Sequence, residues 1–284
     1  MKKITGAGVV ACMLFASGAQ AAVTNVDGQA GGGLVPWALL SSGPTVAISH
    51  LSTQNVGVNI MAANTSIANM VEVSYAHTML DVAGSGLGNV NNTGAVDNLG
   101  MKVKLNDMGD SMPQFALGLV YKNATGNVIG NVLNGGAPLK LGVDTSSTDV
   151  YGVASKIVNI GGKNVLLNGV LRATKANQMG LLGFGGGTIA GSKTGYTVEP
   201  EVSFEIFAAD NVVLGAEYRA QPSNGVTATD GVLHQNAAYD LHIVYVANKN
   251  FTLTAAYANL GQVAPALNGS NSQNGMYVQA QVNF

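Results

Sequence analysis

Charged side chains in this chain occur at every second position of otherwise apolar stretches. Glu199 and Glu201 are two residues apart, and so are Glu217 and Arg219. Because successive side chains of a β-strand point to opposite sides, residues two apart share one face. Two carboxylates on one face could hydrolyse glycosides. Ion pairing with cations on neighbouring strands explains Glu199 and Glu201 more simply.

If the strands close into a barrel, the charged face lines its lumen. Cations from the middle strands then face carboxylates from later strands. In one interpretation the two signs set a field across a water-filled passage, which would orient polar solutes and set ion preference. In the other they pair with one another and fill the interior of a barrel that conducts little. The predicted lining residues are Glu72, Lys102, Lys104, Lys122, Lys156, Arg172, Glu199, Glu201, Glu205, Glu217, Arg219, Asp240 and His242.

The histidines do not form a recognisable metal or catalytic pattern. No two of the four have metal-binding spacing, so we expect no metal and no cofactor. Some outer-membrane barrels are enzymes with a Ser-His pair on the lipid-facing wall. His50, His77 and Ser155 are interpreted as outward-facing, but they fall on different predicted strands and form no nucleophile-base set. We therefore expect no enzymatic activity.

The elements that carry these residues are strands with period-2 alternation, as in the final stretch "GMYVQAQVNF". The pattern recurs about twelve times, and most segments approach the ~9–11 residues that a tilted strand needs to cross a bilayer. No stretch has a convincing helical period. The predicted strands are 45–53, 56–63, 70–80, 97–106, 114–123, 149–157, 164–174, 196–206, 211–221, 239–246, 251–260 and 275–284.

The connections alternate between short turns and longer loops rich in Gly, Asn, Ser or Thr. An up-and-down barrel with short periplasmic turns and long outer loops has this pattern. The predicted fold is therefore all-β, an antiparallel up-and-down transmembrane β-barrel of about twelve strands. Only the first hairpin, around Gln54 and Asn55, is short on the predicted outer side.

Aromatic residues on the apolar faces sort by strand end, as expected for two membrane-interface belts. A soluble β-sandwich has no reason for such sorting, and the apolar face is therefore predicted to contact lipid. The predicted outer belt is Tyr121, Tyr151, Tyr196, Tyr218, Tyr239 and Tyr257, and the predicted periplasmic belt is Phe115, Tyr245, Phe251 and Phe284.

The first residues predict export. "MKK", an apolar run and "SGAQA" make residues 1–21 a cleavable signal peptide. Residues 22–44 are predicted to be an N-terminal periplasmic segment, and residues 45–284 the outer-membrane barrel. With 10% charged residues and a formal net charge of −2, the chain has no basic surface for nucleic acid.

The N-terminal segment 22–44 contains the single tryptophan within an apolar cluster that is costly to leave in water. It could enter the lumen as a plug or lie at the periplasmic membrane interface. Alternatively, its apolar residues simply begin the first strand. The candidate plug residues are Leu34, Pro36, Trp37 and Leu39.

Several stretches resemble the domain-of-unknown-function 3034 family, predicted barrels of Gram-negative bacteria. They are "GGGLVPWALL" at 31–40, "LLNGVLRATKANQMGLLGFGG" at 166–186, "VLGAEYR" at 213–219 and "NKNFTLTAAYANLG" at 248–261. The resemblance implies the fold and an outer-membrane location, but no activity and no site residues. The "LLGFGGG" stretch, with Phe184 among glycines, is expected to fold inward as a constriction.

The expected function is a narrow channel or uptake porin for small solutes in the bacterial outer membrane. The alternative is a closed structural or surface-interaction barrel without transport. The expected partners are outer-membrane lipid, the barrel-assembly machinery during insertion, and a small solute that the sequence does not identify. The oligomeric state stays open.

Overall fold

The computed structural model describes residues 22–81, 93–135, 141–188, 191–225, 233–263 and 272–284. The predicted signal peptide at 1–21 therefore lies outside the described residues.

Twelve antiparallel strands form a closed barrel in which each strand pairs with its neighbours in sequence. The last strand pairs with the first, Val282 opposite Val46 and Gln279 opposite Ser49, so the sheet has no free edge. The barrel strands are β3 (Thr45–Thr53), β4 (Gly57–Ile67), β5 (Val71–Asp81), β6 (Thr93–Lys104), β7 (Gln114–Gly126), β8 (Ser146–Ile160), β9 (Lys163–Thr174), β10 (Thr197–Ala209), β11 (Val212–Arg219), β12 (Ala238–Asn248), β13 (Phe251–Gln262) and β14 (Ser272–Asn283).

The remaining elements are short. Strands β1 (Val23–Thr24) and β2 (Ala30–Gly31) pair with each other outside the barrel sheet. A π-helical turn covers Val128–Leu133 and a 3₁₀ turn covers Asn177–Gly180. Within the described residues, no helix is long and apolar enough to cross a membrane.

Side chains alternate between a polar inside and an apolar outside. In β12, for example, Asp240 and His242 are buried, whereas Leu241 and Ile243 are exposed. Large exposed apolar side chains recur around the whole barrel, on a scale that soluble monomers do not show. The predicted strands and the predicted twelve-stranded architecture are confirmed.

Strand β8 faces the opposite way from the prediction. Tyr151 is an interior residue, 2% exposed, not a member of the outer belt. Its ring lies over the position opposite it on β7, Gly118, where any Cβ would collide with the ring. Ser155 is likewise interior. Lys156 occupies a position that alternates to the outer face. Its Nζ donates to the turn carbonyls of residues 109 and 110 at 2.5 and 2.9 Å.

The physical reason for this error lies in the composition of the strand. Val150, Gly152 and Ala154 on one face and Tyr151 and Val153 on the other are all compatible with lipid. When both faces of a strand are apolar, the alternation no longer identifies the buried face, and a one-residue change of phase exchanges the faces. Lys156 is therefore not a lumen-lining residue.

Candidate functional site

The N-terminal segment 22–44 lies inside the barrel and is buried from residue 22 to residue 41 apart from the half-buried Val26. It enters at the end of the barrel where the short turns lie, next to the start of β3. Trp37 Nε1 donates to Ser203 Oγ at 3.1 Å, and the Ala38 amide donates to Ser155 Oγ at 2.8 Å. Wall hydroxyls thus hold the segment in place through hydrogen bonds.

Asp27 is the centre of a buried ionic network between the segment and the wall. Its carboxylate lies 2.7 Å from Lys122 Nζ, 3.0 Å from Arg219 Nη2 and 3.4 Å from Arg172 Nη1. Two wall carboxylates complete the network: Asp149 pairs with Lys122 and Arg172, and Glu201 pairs with Arg172 and Arg219. Three cations therefore face three carboxylates, one of which belongs to the segment.

The charge of Asp27 is set by two opposing effects. Burial alone would raise the pKa of its carboxyl group, because the charged form loses its hydration. The positive charges of Arg219, Lys122 and Arg172 outweigh burial and hold the pKa of Asp27 well below its usual range. Asp27 is therefore ionised at neutral pH and stabilises the wall cations.

Two further wall carboxylates bind backbone amides of the segment. Glu72 accepts from the amides of Ala30 at 3.0 Å and Ser41 at 2.8 Å, and it pairs with Lys102 at 3.1 Å. Glu217 accepts from the amides of residues 34 and 35 at 2.6 and 3.2 Å. These carboxylates provide acceptors for backbone donors that would otherwise be buried without a partner.

A second polar cluster surrounds His242. Its Nδ1 lies 2.7 Å from Asp240 Oδ1, and its Nε2 lies 2.9 Å from Glu205 Oε2. Both nitrogens can donate at once only as the imidazolium. Among the described residues, Glu217, Asp240 and His242 also have ligand atoms within 4.8 Å of one another, the one group with spacing suited to a cation.

The loop at 175–188 closes the opposite end of the lumen. Phe184 is fully buried, and Leu181 and Leu182 are buried beside it, so the predicted inward fold is confirmed. The Met179 carbonyl accepts from Lys122 Nζ at 3.1 Å. Lys122 thus contacts both the loop and Asp27 of the segment.

Between the segment and the loop lies a chamber of about 70 Å³. The segment provides its floor with Val26 and Leu34, and the loop provides its roof with Met179 and Leu181. Its walls are mostly aliphatic, and Asp240 and His242 lie at its edge.

The structure places most predicted lining residues on the inner face, but not all at the same depth. Lys104 is half-buried and pairs with the exposed Asp107 at 2.6 Å, and Glu199 is half-buried opposite Arg172. The candidate plug residues Leu34, Pro36, Trp37 and Leu39 are all buried. The predicted lining charges that are fully or nearly fully buried are Glu72, Lys102, Lys122, Arg172, Glu201, Glu205, Glu217, Arg219, Asp240 and His242.

The other predicted belt residues lie on the outer face. Phe251 is half-buried there, because it sits beside the turn to β12, and the rest are exposed. The exposed belt residues are Tyr121, Tyr196, Tyr218, Tyr239, Tyr257, Phe115, Tyr245 and Phe284.

Sequence reasoning missed Asp27 and Asp149. The reversed phase of β8 hid Asp149, which shares the inner face with Tyr151. Asp27 lies in a short segment without strand periodicity, and its partners are about a hundred or more residues away. The excess of cations over carboxylates on β6 to β9 was the one available signal for a missing acid.

The outward histidines contact neighbours on the outer face. His50 Nδ1 lies 2.8 Å from Asn59 Oδ1, and His77 Nδ1 lies 2.8 Å from Asp97 Oδ1. Ser155 is on the opposite side of the wall. The three residues considered for Ser-His chemistry therefore do not meet.

A closed twelve-stranded antiparallel barrel with an apolar exterior and an interior filled by ionic and apolar side chains defines the outer-membrane type of β-barrel protein. The chain belongs to the family described as protein of unknown function DUF3034, whose profile matches residues 20–281. No curated protein matches the chain significantly.

Solved structures share the fold at low sequence identity. An outer membrane channel from Pseudomonas putida F1 has a TM-score of 0.52 at 11% identity, covering 92% of this chain and 100% of that chain. The NanC porin has a TM-score of 0.50 at 9% identity, covering 85% and 99%. Outer membrane phospholipase A from Escherichia coli, at a TM-score of 0.40 and 10% identity over 85% and 96%, is too distant to bear on activity. These similarities concern the fold alone.

Proposed function

We propose that the protein is a bacterial outer-membrane channel for small solutes whose lumen is closed at rest by its own N-terminal segment. Residues 1–21 would direct export, and the apolar exterior would contact lipid. The fold similarity to an outer membrane channel and to a porin supports this proposal.

The observation that carries the proposal is the set of ion pairs and hydrogen bonds between the segment and the wall, which lie beside apolar contacts such as those of Leu34 and Trp37. Asp27, the backbone of 30–41 and the wall charges meet through ion pairs and hydrogen bonds. Water can replace the ion pairs and hydrogen bonds when the segment withdraws. A purely structural barrel gains little from them, because well-packed apolar residues are often at least as stable as buried ion pairs.

The experiment compares single-channel conductance of the mature protein with that of a variant lacking residues 22–44, in planar lipid bilayers. We expect rare or small steps from the intact protein and stable, larger steps from the deletion variant. Heat-modifiable gel mobility verifies that each form is folded. Two folded but silent forms would contradict the channel and favour the closed structural or surface-interaction barrel.

A further inference from the structure

The chamber between the segment and the loop has an unusual combination of an apolar lining and one acidic edge. Its volume of about 70 Å³ compares with the roughly 10–15 Å³ needed per buried water, so it could hold about five to seven waters or one organic molecule with a similar number of non-hydrogen atoms. The aliphatic lining, including Leu51, Val58, Ile60 and Val96, favours the organic molecule over water.

Charge is not balanced at the chamber edge. Among the described residues, seven carboxylates, four cations and His242 are buried. Glu72 is balanced by Lys102, and the three carboxylates of the Asp27 network are balanced by its three cations. The remaining carboxylates are Glu205, Glu217 and Asp240, with His242 alone to offset them. Counted as ionised groups, the three carboxylates and one imidazolium give this cluster a formal excess of two negative charges.

One carboxylate oxygen of the cluster is buried without a partner. Glu205 is fully buried, and its Oε1 accepts no hydrogen bond from any described residue. A Cβ built on Gly32, which lines the chamber, would lie 2.9 Å from this oxygen and would collide with Glu217 Oε1. Both carboxylates therefore lie against Gly32, and Gly32 in turn lines the chamber. A buried acceptor of this kind favours a donor that carries positive charge.

We propose that the chamber binds a small organic cation, a protonated amine on a compact apolar body. The ammonium group would lie at the edge formed by Asp240, beside Glu205 and Glu217, and the apolar body would pack between Leu34 and Leu181. This inference rests on the proposed channel function and names the class of solute that the channel would hold. A bare metal ion would use the carboxylates but leave the apolar chamber empty.

The test is isothermal titration calorimetry on the folded mature protein in detergent micelles at neutral pH. The probes are cyclohexylammonium, cyclohexanol and cyclohexanecarboxylate, which share one apolar body and differ in charge. We expect cyclohexylammonium to bind about tenfold or more tightly than the other two, the difference that one favourable charge contact supplies. Equal affinity for cyclohexanol and cyclohexylammonium would overturn the recognition of charge.

Two variants separate the parts of the site. Asp240→Asn should remove most of the preference for the ammonium, and Ala256→Leu should abolish binding of all three probes by filling the chamber. Ala255→Leu is the matched control, because Ala255 is the next residue on β13 and lies on the outer face. Gel mobility verifies folding of each variant. Unchanged binding in a folded Ala256→Leu variant would overturn the location.

Two further measurements keep the outcomes distinct. If Zn²⁺ binds stoichiometrically in an Asp240-dependent way and cyclohexylammonium does not bind at all, the cluster is a metal site and the amine proposal is overturned. If the protein binds cyclohexylammonium but shows no conductance either with or without residues 22–44, the binding site in the chamber is supported and the channel function is contradicted. If the variant lacking residues 22–44 conducts but the intact protein does not bind cyclohexylammonium, only the amine-binding proposal is overturned.

Discussion

Asp27 shows how much one side chain of the segment determines. Its carboxylate is the shared partner of Lys122, Arg172 and Arg219, and removing one member of a buried ionic network leaves the others uncompensated. We expect Asp27→Asn to lower the free energy of unfolding by about 3–5 kcal/mol at neutral pH. Urea unfolding in detergent measures this change. Asp210→Asn, in an exposed turn, is the control and should change it by less than about 0.5 kcal/mol.

The same carboxylate predicts a pH dependence. Because its folded pKa lies below its usual value of about 4, Asp27 contributes stability that is fully present above about pH 4 and is lost as pH falls through the folded pKa. The stability difference between the wild type and Asp27→Asn should therefore be constant from about pH 5 to 8 and shrink below about pH 4. A difference that instead grows on acidification would contradict the assignment.

Tyr151 tests the corrected orientation of β8. Its Oη donates to Gln29 Oε1 of the segment at 2.7 Å, and its ring lies 4.9 Å from the Arg172 guanidinium carbon. Tyr151→Phe keeps the ring but leaves Gln29 without this donor, so it should cost about 1 kcal/mol of unfolding free energy. Tyr121→Phe on the outer face serves as control. Equal effects of the two substitutions would favour the outward orientation predicted from sequence.

The 175–188 loop contains two non-glycine residues in the left-handed backbone conformation. Gln178 has φ 45° and Met179 has φ 61°. Such a conformation costs an L-residue roughly 1–2 kcal/mol. Met179→Gly should therefore slow protease cleavage within 175–188, because glycine adopts this conformation without strain.

Met179→Ala separates strain from loss of the side chain. Alanine removes the same thioether but keeps the Cβ, so it should not slow cleavage. Cleavage rates on the folded barrel, followed by mass spectrometry, measure both variants. If both slow cleavage equally, backbone strain is not the cause.

The elements also show what the sequence could predict and where it stopped. β3 was predicted at 45–53 and observed at Thr45–Thr53, because a polar inner face alternates there with Val46 and Ile48 outside. The orientation of β8 was predicted wrongly because residues 150–154 are compatible with lipid on both faces. The ionic network could not be assembled from sequence, since Asp27 approaches its partners only once the barrel has closed.

At the scale of the whole molecule, the segment should report its own position. Trp37 is the single tryptophan and is 1% exposed, so its fluorescence should be blue-shifted and shielded from acrylamide in the folded protein. Asp27→Asn should increase quenching while gel mobility still shows a folded barrel, because the segment is then held less firmly. If acrylamide quenched Trp37 in the folded wild type as strongly as in the unfolded chain, the result would contradict a segment inside the lumen.

The two closures share one buried cation. Lys122 contacts the segment through Asp27 and the loop through Met179, so displacement of either removes a partner of the same ammonium group. Opening at one end is therefore expected to weaken the other end. The whole barrel would then act as one gated passage rather than two independent plugs.

The most direct test is to restore the closed state by adding the N-terminal segment back to a barrel that lacks it. The variant lacking residues 22–44 is inserted into a planar bilayer, and a synthetic peptide of residues 22–44 is added to one side at a time. We predict that the peptide closes the conducting steps from the short-turn side only, and that the same peptide with Asp27→Asn does so much more weakly. No block from either side, or equal block by both peptides, would contradict the claim that the N-terminal segment closes the lumen through its ionic contacts.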